Sequence, residues 1–254
     1  SSLTEGLPET ICACKRPFMN ESIWGIVAAA GKARRFGGDK LAQRLPNGDT
    51  ILYRSCAQLI SGGIDHLVVV GSPGPPHQLD RLGRAIHAIV PGGAQRKDSI
   101  KAGLAVIPGD VQWIAVHDGA RPFVTTDLIK RCIAAAQTTG AAVPALECID
   151  TIARAENAQL MSALDRSELR RIQTPQIMKR SWLTKVLDQE AASDESSVLL
   201  ALGYPVATVT GDEDNIKKRM YCETSNQGQS NSLLKPALHE TYYPGIQFND
   251  APVS

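Results

Sequence analysis

Four cations, Lys32, Arg34, Arg35 and Lys40, crowd into a loop of glycine and alanine directly after the apolar run Ile23-Trp-Gly-Ile-Val-Ala-Ala. Backbone amides without bulky side chains, together with fixed positive charge, suit a polyphosphate. Ligands of open α/β sheets bind just past the carboxyl ends of strands, where this loop begins. Attack on an α-phosphate adds charge to its equatorial oxygens, and the same groups favour that state. The spacing is not Gly-x-x-x-x-Gly-Lys-Ser/Thr, which excludes an ordinary P-loop. Nor is it Gly-x-Gly-x-x-Gly, which weighs against a dinucleotide. Taken alone, a solvated basic loop is the plainer alternative.

Two further segments carry chemistry. In Pro91-Gly-Gly-Ala-Gln-Arg-Lys-Asp-Ser99, a Gly-Gly turn leads into a helix bearing Arg96 and Ser99. Glycines let backbone groups approach a planar base, and a helix-borne hydroxyl can bond its edge. A turn before an amphipathic helix explains the segment equally well. In Val116-His-Asp-Gly-Ala-Arg121, an apolar strand delivers Asp118 to its carboxyl end, followed by Gly119 and Arg121. A carboxylate there can bond ribose hydroxyls or help hold Mg²⁺. His117 reads as a satisfied strand-end histidine rather than a catalyst. The pairs Asp150-Thr151, Asp165-Arg166, Ser193-Asp194, the triplet Thr174-Pro-Gln176 and Asp214-Asn-Ile-Lys217 are, one by one, ordinary turns and caps.

The elements that must position these residues alternate. Strands are expected over 23–29, 66–71, 88–90, 113–116, 141–145 and 206–210. Helices are expected over 51–60, 78–86, 96–107, 125–138, 181–191 and 194–202, with Ser193 as N-cap of the last. This rhythm predicts an α/β architecture of βαβ units: a mostly parallel sheet with helices on both faces. After Glu147 the rhythm changes to short alternating runs at 149–154, 160–164 and 169–173, which predict a protruding antiparallel arm over about 148–176 that meets a partner subunit.

The chain has 254 residues, 43% of them hydrophobic and 21% charged, with a formal net charge of +1. Such a balance gives no global basic field for nucleic acid. No run approaches the roughly 20 apolar residues of a membrane helix. The six cysteines lack zinc-ligand spacing and read as reduced thiols of a cytoplasmic protein. Residues 1–22 are expected to be a disordered extension, with a remnant of organelle targeting (and hence a stromal location) as the alternative. Residues 218–254 are expected to form a weakly ordered tail.

Together and in this order, Ala-Ala-Gly…Arg-Arg-Phe, Gly-Gly-Ala-Gln-Arg-Lys-Asp-Ser, Val-His-Asp-Gly-Ala-Arg-Pro, Thr-Pro-Gln, Ser-Asp-Glu-Ser and Asp-Asn-Ile-Lys make residues 23–217 resemble the 2-C-methyl-D-erythritol 4-phosphate cytidylyltransferase family. The resemblance implies a Rossmann-like nucleotidyltransferase fold, CMP transfer from CTP to methylerythritol phosphate in isoprenoid biosynthesis, with Mg²⁺ bound largely through phosphate oxygens, and a homodimer joined by the arm. It implies that Arg35 and Lys40 contact the CTP phosphates, that Ala29, Ala30 and Gly31 wrap the nucleotide, and that Gly93 and Ser99 read cytosine. Asp118 and Gly119 would hold the ribose and the metal region. Arg121, Thr151, Ser193 and Lys217 would bind the acceptor, and Arg166 would reach across the arm to the other subunit's substrate. Alternatives are a ribitol-phosphate cytidylyltransferase and a non-catalytic nucleotide-binding paralogue. Three departures from the family pattern stand out. The link between Arg35 and Lys40 is short, Ser193 replaces the more usual threonine, and Lys-Arg-Met-Tyr-Cys follows Lys217 in place of a closing helix.

Overall fold

A computed structural model describes residues 21–30, 39–71, 77–189 and 194–217. Ten strands and five α-helices follow one another along them. The strands are β1 (Ile23–Ala28), β2 (His66–Val70), β3 (Ile86–Val90), β4 (Trp113–Asp118), β5 (Ala141–Glu147), β6 (Ala153–Glu156), β7 (Gln159–Ala163), β8 (Arg170–Ile172), β9 (Gln176–Lys179) and β10 (Ala207–Thr210). The helices are α1 (Ile51–Ser61), α2 (Arg96–Ala105), α3 (Thr126–Thr139), α4 (Arg180–Asp188) and α5 (Glu195–Ala201).

The main sheet has the order β10-β5-β9-β4-β1-β2-β3, with β8 added alongside β5. β1 pairs in parallel with β2 and β4, β2 with β3, and β5 with β10. β9 lies antiparallel between β4 and β5. The sheet is therefore mixed and mostly parallel.

Successive side chains of a strand face opposite ways, so one strand can feed two cores. Val27 joins Leu67, Val69, Ala115 and Ile177 under α1 and α3, whereas Ile26 joins Val68, Val70, Ile114, Val116 and Met178 under α2, α4 and α5. Burying one such aliphatic side chain stabilises the fold by about 1.5–3 kcal/mol. Helix α3 shows how the sequence earns its place there. Leu128, Ile129, Cys132 and Ala136 form one buried stripe, and the Thr125 hydroxyl accepts the Leu128 N–H at 3.3 Å to start the helix. Helix α2 has a weaker apolar stripe but lies close on the sheet through Gly103, where an added Cβ would come within 2.8 Å of both Ile26 and Val70.

Several expectations are corrected. The stretch expected as a helix over 78–86 forms 3-10 turns across Leu79–Ala85, broken at Gly83, and β3 already begins at Ile86. Helix α5 is capped by Asp194, not Ser193: its carboxylate accepts the Ser197 N–H at 3.0 Å. The arm is narrower than 148–176. Only β6 and β7 form a separate two-stranded sheet, turning at Asn157 and Ala158, both with positive φ. The third run instead returns as β8 against β5, and the strand β9 that follows was not anticipated. Glu21 and Ser22 are tied to the body, since Glu21 accepts the Trp113 indole N–H at 2.6 Å and the Ser22 hydroxyl donates to Asp65 at 3.1 Å. Residues 1–20 and 218–254 lie outside the described residues. Among the described residues no helix is long and apolar enough to cross a membrane.

Candidate active site

The parallel strands bring Ala28, Val70 and Asp118 to one edge of the sheet. Because β9 runs the other way, its start lies at the same edge, with Gln176 opposite Val116. A cleft of about 580 Å³ opens there, lined by Ala28–Ala30, Lys40, Leu41, Gly93–Arg96, Ser99, Asp118, Ala120 and Lys217. That volume is in the range of small-molecule sites.

Asp118 is the charged centre of the cleft. Its carboxylate lies 3.0 Å from Lys217 Nζ, 3.5 Å from Arg121 Nε and 3.9 Å from an Arg96 amino group. Burial pushes its pKa up, but Lys217, by charge and hydrogen bond, with Arg96 and His117, more than offsets this and holds it below the ordinary carboxylate value. Arg96 also pairs with the buried Glu195 at the start of α5. Burial disfavours the guanidinium charge, whereas Glu195, Asp118 and Asp194 favour it, and the net shift is upward. Arg96 thus ties the first turn of α2 to that of α5 through Glu195 and to the end of β4 through Asp118. Asp194 is pushed up by burial but receives hydrogen bonds from Ser196, Ser197 and Gln176, which bring it down to about 2.

Behind Asp118 is a neutral relay. The Asp118 N–H donates to the Thr174 hydroxyl at 3.1 Å, and that hydroxyl donates its own hydrogen to His117 Nδ1 at 3.0 Å, because in the neutral ring the other nitrogen faces a carbonyl that can only accept. His117 Nε2 then carries the ring hydrogen and donates to the Arg121 carbonyl at 3.3 Å. The imidazole is fully buried, and burial lowers its pKa to about 4, opposed by the Asp118 charge. Between about pH 6.5 and pH 4 the unfolded chain therefore takes up a proton that the folded chain does not, so stability falls as pH drops through that window. The paired carboxylates act lower, with Asp194 losing its contribution as pH falls from 3.8 towards about 2. Urea denaturation at stepped pH checks this: His117→Gln is expected to flatten the upper limb, and an unchanged slope would rule His117 out as its source.

One wall of the cleft is built largely from backbone. The Ala29 N–H bonds the Val70 carbonyl at 2.8 Å, which seats Ala29 and Ala30 past the end of β1. Gly92 packs against them so tightly that a Cβ would lie 2.1 Å from the Ala30 Cβ. The Ser99 hydroxyl accepts the Gly93 N–H at 3.1 Å and donates to the Gln95 carbonyl at 3.2 Å, leaving an acceptor lone pair towards the cleft wall. Gly119 lies beside the cleft with its N–H on the Ala28 carbonyl and its carbonyl on the Ser55 hydroxyl. Lys40 opens a 3-10 turn, Lys40–Ala42, capped by Asp39.

Of the residues expected from sequence, the structure brings Ala29, Ala30, Lys40, Gly93, Ser99, Asp118 and Lys217 to the cleft, with Arg121 and Gly119 next to it. Thr151 and Arg166 do not line it. Both are exposed on the segments that flank the β6–β7 hairpin, where Arg166 donates to the Ile149 carbonyl at 2.5 Å. Gly31, Arg35 and Ser193 lie outside the described residues. Arg96, Glu195 and Asn215 were missed as site residues. Asn215 is fully buried, and its carbonyl accepts from Arg121 at 2.6 Å, which anchors the segment that ends at Lys217. The arginine of Gly-Gly-Ala-Gln-Arg and the glutamate of Ser-Asp-Glu-Ser were the available signals.

Residues 23–221 match the model of the IspD family, 2-C-methyl-D-erythritol 4-phosphate cytidylyltransferase. A bifunctional enzyme IspD/IspF of Granulibacter bethesdensis is 38% identical over 202 residues, covering 77% of this chain and 52% of that protein. A 2-C-methyl-D-erythritol 4-phosphate cytidylyltransferase of Synechococcus sp. is 34% identical over 205 residues, covering 76% of this chain and 88% of its own length. The crystal structure of the enzyme of that name from Thermus thermophilus superposes with a TM-score of 0.63 at 31% identity, covering 80% of this chain and 94% of the other. The chain spans about half the length of the bifunctional relatives it matches. With the family signature running from β1 to beyond Lys217 over a matching fold, the chain belongs to the 2-C-methyl-D-erythritol 4-phosphate cytidylyltransferase family.

Proposed function

We propose that this chain transfers CMP from CTP to 2-C-methyl-D-erythritol 4-phosphate. An acceptor phosphate oxygen attacks the α-phosphorus in line, the bond to the β-phosphate oxygen breaks, and pyrophosphate leaves with the electron pair. The attacking oxygen is already anionic near neutral pH, so no general base is needed. The protein's work is alignment and charge neutralisation. The observation that supports this most is Asp118 ringed by Lys217, Arg121 and Arg96 at the sheet edge, beside a backbone wall suited to a base.

In this reading Ala29, Ala30 and Gly31 wrap the nucleotide, and Lys40 and Arg35 neutralise its phosphates. Ser99 offers its remaining lone pair to the cytosine amino group beside Gly93. Asp118, with Gly119 behind it, faces the ribose. Lys217, Arg121 and Ser193 take the acceptor phosphate. Asp118 is a hard oxygen donor suited to Mg²⁺, and among the described residues no three His, Cys, Asp or Glu side chains gather, so such an ion would take most of its ligands from phosphate oxygens. When bound it would supply charge neutralisation on the triphosphate.

A second copy of the chain is the proposed partner. The arm exposes Leu160 at 81%, Ile149 at 69% and Met161 at 61%, an apolar surface suited to burial. Thr151 and Arg166 would then act on the partner's acceptor. Leu160→Asp with Met161→Asp is expected to yield a monomer that loses activity, as Arg166→Ala does; sedimentation and turnover check this, and a fully active monomer would refute it. Cys56 and Cys132 are buried free thiols, which supports a reducing compartment, cytoplasm or stroma.

The deciding experiment is pyrophosphate release across CTP, GTP, methylerythritol phosphate and ribitol phosphate, with Mg²⁺ and with chelator. Release is expected only with CTP, methylerythritol phosphate and Mg²⁺ together. Release with ribitol phosphate instead would reassign the acceptor, and CTP binding without release would refute transferase activity.

A further inference from the structure

His77 lies outside the cleft and touches none of the groups assigned to substrate. It is 3% exposed, yet its Nε2 sits 2.8 Å from Asp39 Oδ2. A carboxylate only accepts, so Nε2 carries the hydrogen and donates. Asp39 needs just one oxygen to cap its turn: Oδ1 accepts the Leu41 N–H at 3.0 Å. The second oxygen, on the histidine, adds nothing to the cap and instead fixes the direction in which the turn leaves the body. That matters because the turn is only Lys40–Ala42, closed by bonds of 3.1 and 3.3 Å, and 3-10 geometry of this length is weakly self-supporting. Lys40 and Leu41 of this turn line the cleft.

His77 is itself anchored. Its carbonyl accepts the hydroxyl of Thr50, the N-cap of α1, at 2.9 Å, and the next residue, Gln78, accepts the Thr50 N–H at 2.9 Å through its side chain. Gln78 has φ +57, so the chain takes a left-handed step to make both bonds. A continuous set of contacts therefore runs from the rigid start of α1 through His77 and Asp39 to Lys40.

We propose that His77 is a positioning residue that holds Lys40 in the cleft through Asp39. This rests on the reading of Lys40 as a cation for the CTP phosphates. Misplacing a reacting group by about 1 Å can cost up to about 10²-fold in rate.

The test uses the full-length chain and pyrophosphate release with separate kcat and KM for CTP. His77→Leu is expected to lower kcat about tenfold with KM within about twofold. Asp39→Ser keeps a capping oxygen but is too short to reach His77, so it is expected to match His77→Leu and to carry the test if His77→Leu does not fold. His77→Gln, which retains a donor nitrogen, is expected to recover most of the rate. In a Lys40→Ala background, His77→Leu is expected to change nothing further. If the two losses multiply, or His77→Leu turns over normally while Lys40→Ala is impaired, His77 does not act through Lys40 and the inference is overturned with the reading of Lys40 intact. Normal turnover of Lys40→Ala alone would overturn both.

Discussion

Lys217→Ala is expected to lower turnover by about 10²- to 10³-fold, the scale for losing one preorganised charge at a reacting phosphate. The Lys217 side chain is 39% exposed and its ammonium lies 3.0 Å from Asp118, so it reaches the cleft without filling the core. After truncation Asp118 still has Arg121 at 3.5 Å and Arg96 at 3.9 Å, so no buried charge is stranded. The denaturation midpoint is therefore expected to hold while kcat collapses. The Asp118 pKa is expected to rise, because Lys217 is the first of the groups that depress it. Steady-state pyrophosphate release beside a denaturation curve checks both halves. Near-normal turnover would remove Lys217 from the machinery, and a matching fall in midpoint would assign the effect to folding.

Asn215→Ala is expected to cost stability first and activity as a result. Asn215 is fully buried, donating to the Thr174 carbonyl at 3.0 Å and to the Gln173 side-chain oxygen at 3.4 Å. Its own carbonyl takes the Arg121 guanidinium at 2.6 Å and Gln173 at 3.3 Å. Alanine leaves the buried Thr174 carbonyl without its donor, at about 1–3 kcal/mol, while the Gln173 oxygen keeps the Asp212 N–H at 3.1 Å, and the truncation opens a small cavity as well. A net loss of about 2–4 kcal/mol is expected from urea denaturation. Asn215→Asp is expected to be worse, since it sets an acceptor against acceptors and buries a charge. Because Lys217 follows two residues later, turnover should fall in both variants even where folding is complete. A loss below about 0.5 kcal/mol would show the Asn215 bonds to be dispensable.

The fold was legible wherever a local pattern carried it. The apolar runs of β1, β2 and β4 are each a buried strand, and the helices expected from 51, 96 and 125 begin at Ile51, Arg96 and Thr126. Asp118 could be placed because a strand end is a local feature. β9 could not: its four residues, Gln-Ile-Met-Lys, run straight into the first turn of α4, and four residues hold too little periodicity to declare a strand. Its identity is decided by the edges of β4 and β5, which are far away in sequence. Arg96 and Glu195 were opaque for the same reason. Each reads as an exposed helix charge until the fold brings the starts of α2 and α5 together, pairs the two and buries Glu195. The cap at Asp194 rather than Ser193 is a one-residue choice between two good capping residues, and the hydrogen bonds from Ser196 and Ser197 settle it.

The late, reversed strand β9 also orders events during synthesis. A chain emerging from its amino end presents β1 to β4 and then β5 before the strand that joins them exists. β4 and β5 do not pair directly; each bonds to β9. Until Lys179 has left the ribosome, one edge of β4 is unpaired, and the Thr174 hydroxyl that takes the Asp118 N–H is not in place. Non-local strand pairings of this sort are slow to form and leave open edges while they wait. The hairpin with exposed Leu160 and Met161 emerges during that interval, ahead of β9. The nascent chain thus shows its apolar hairpin before the edge that carries the cleft is closed, which makes crowding of neighbouring nascent chains a condition that favours mispairing.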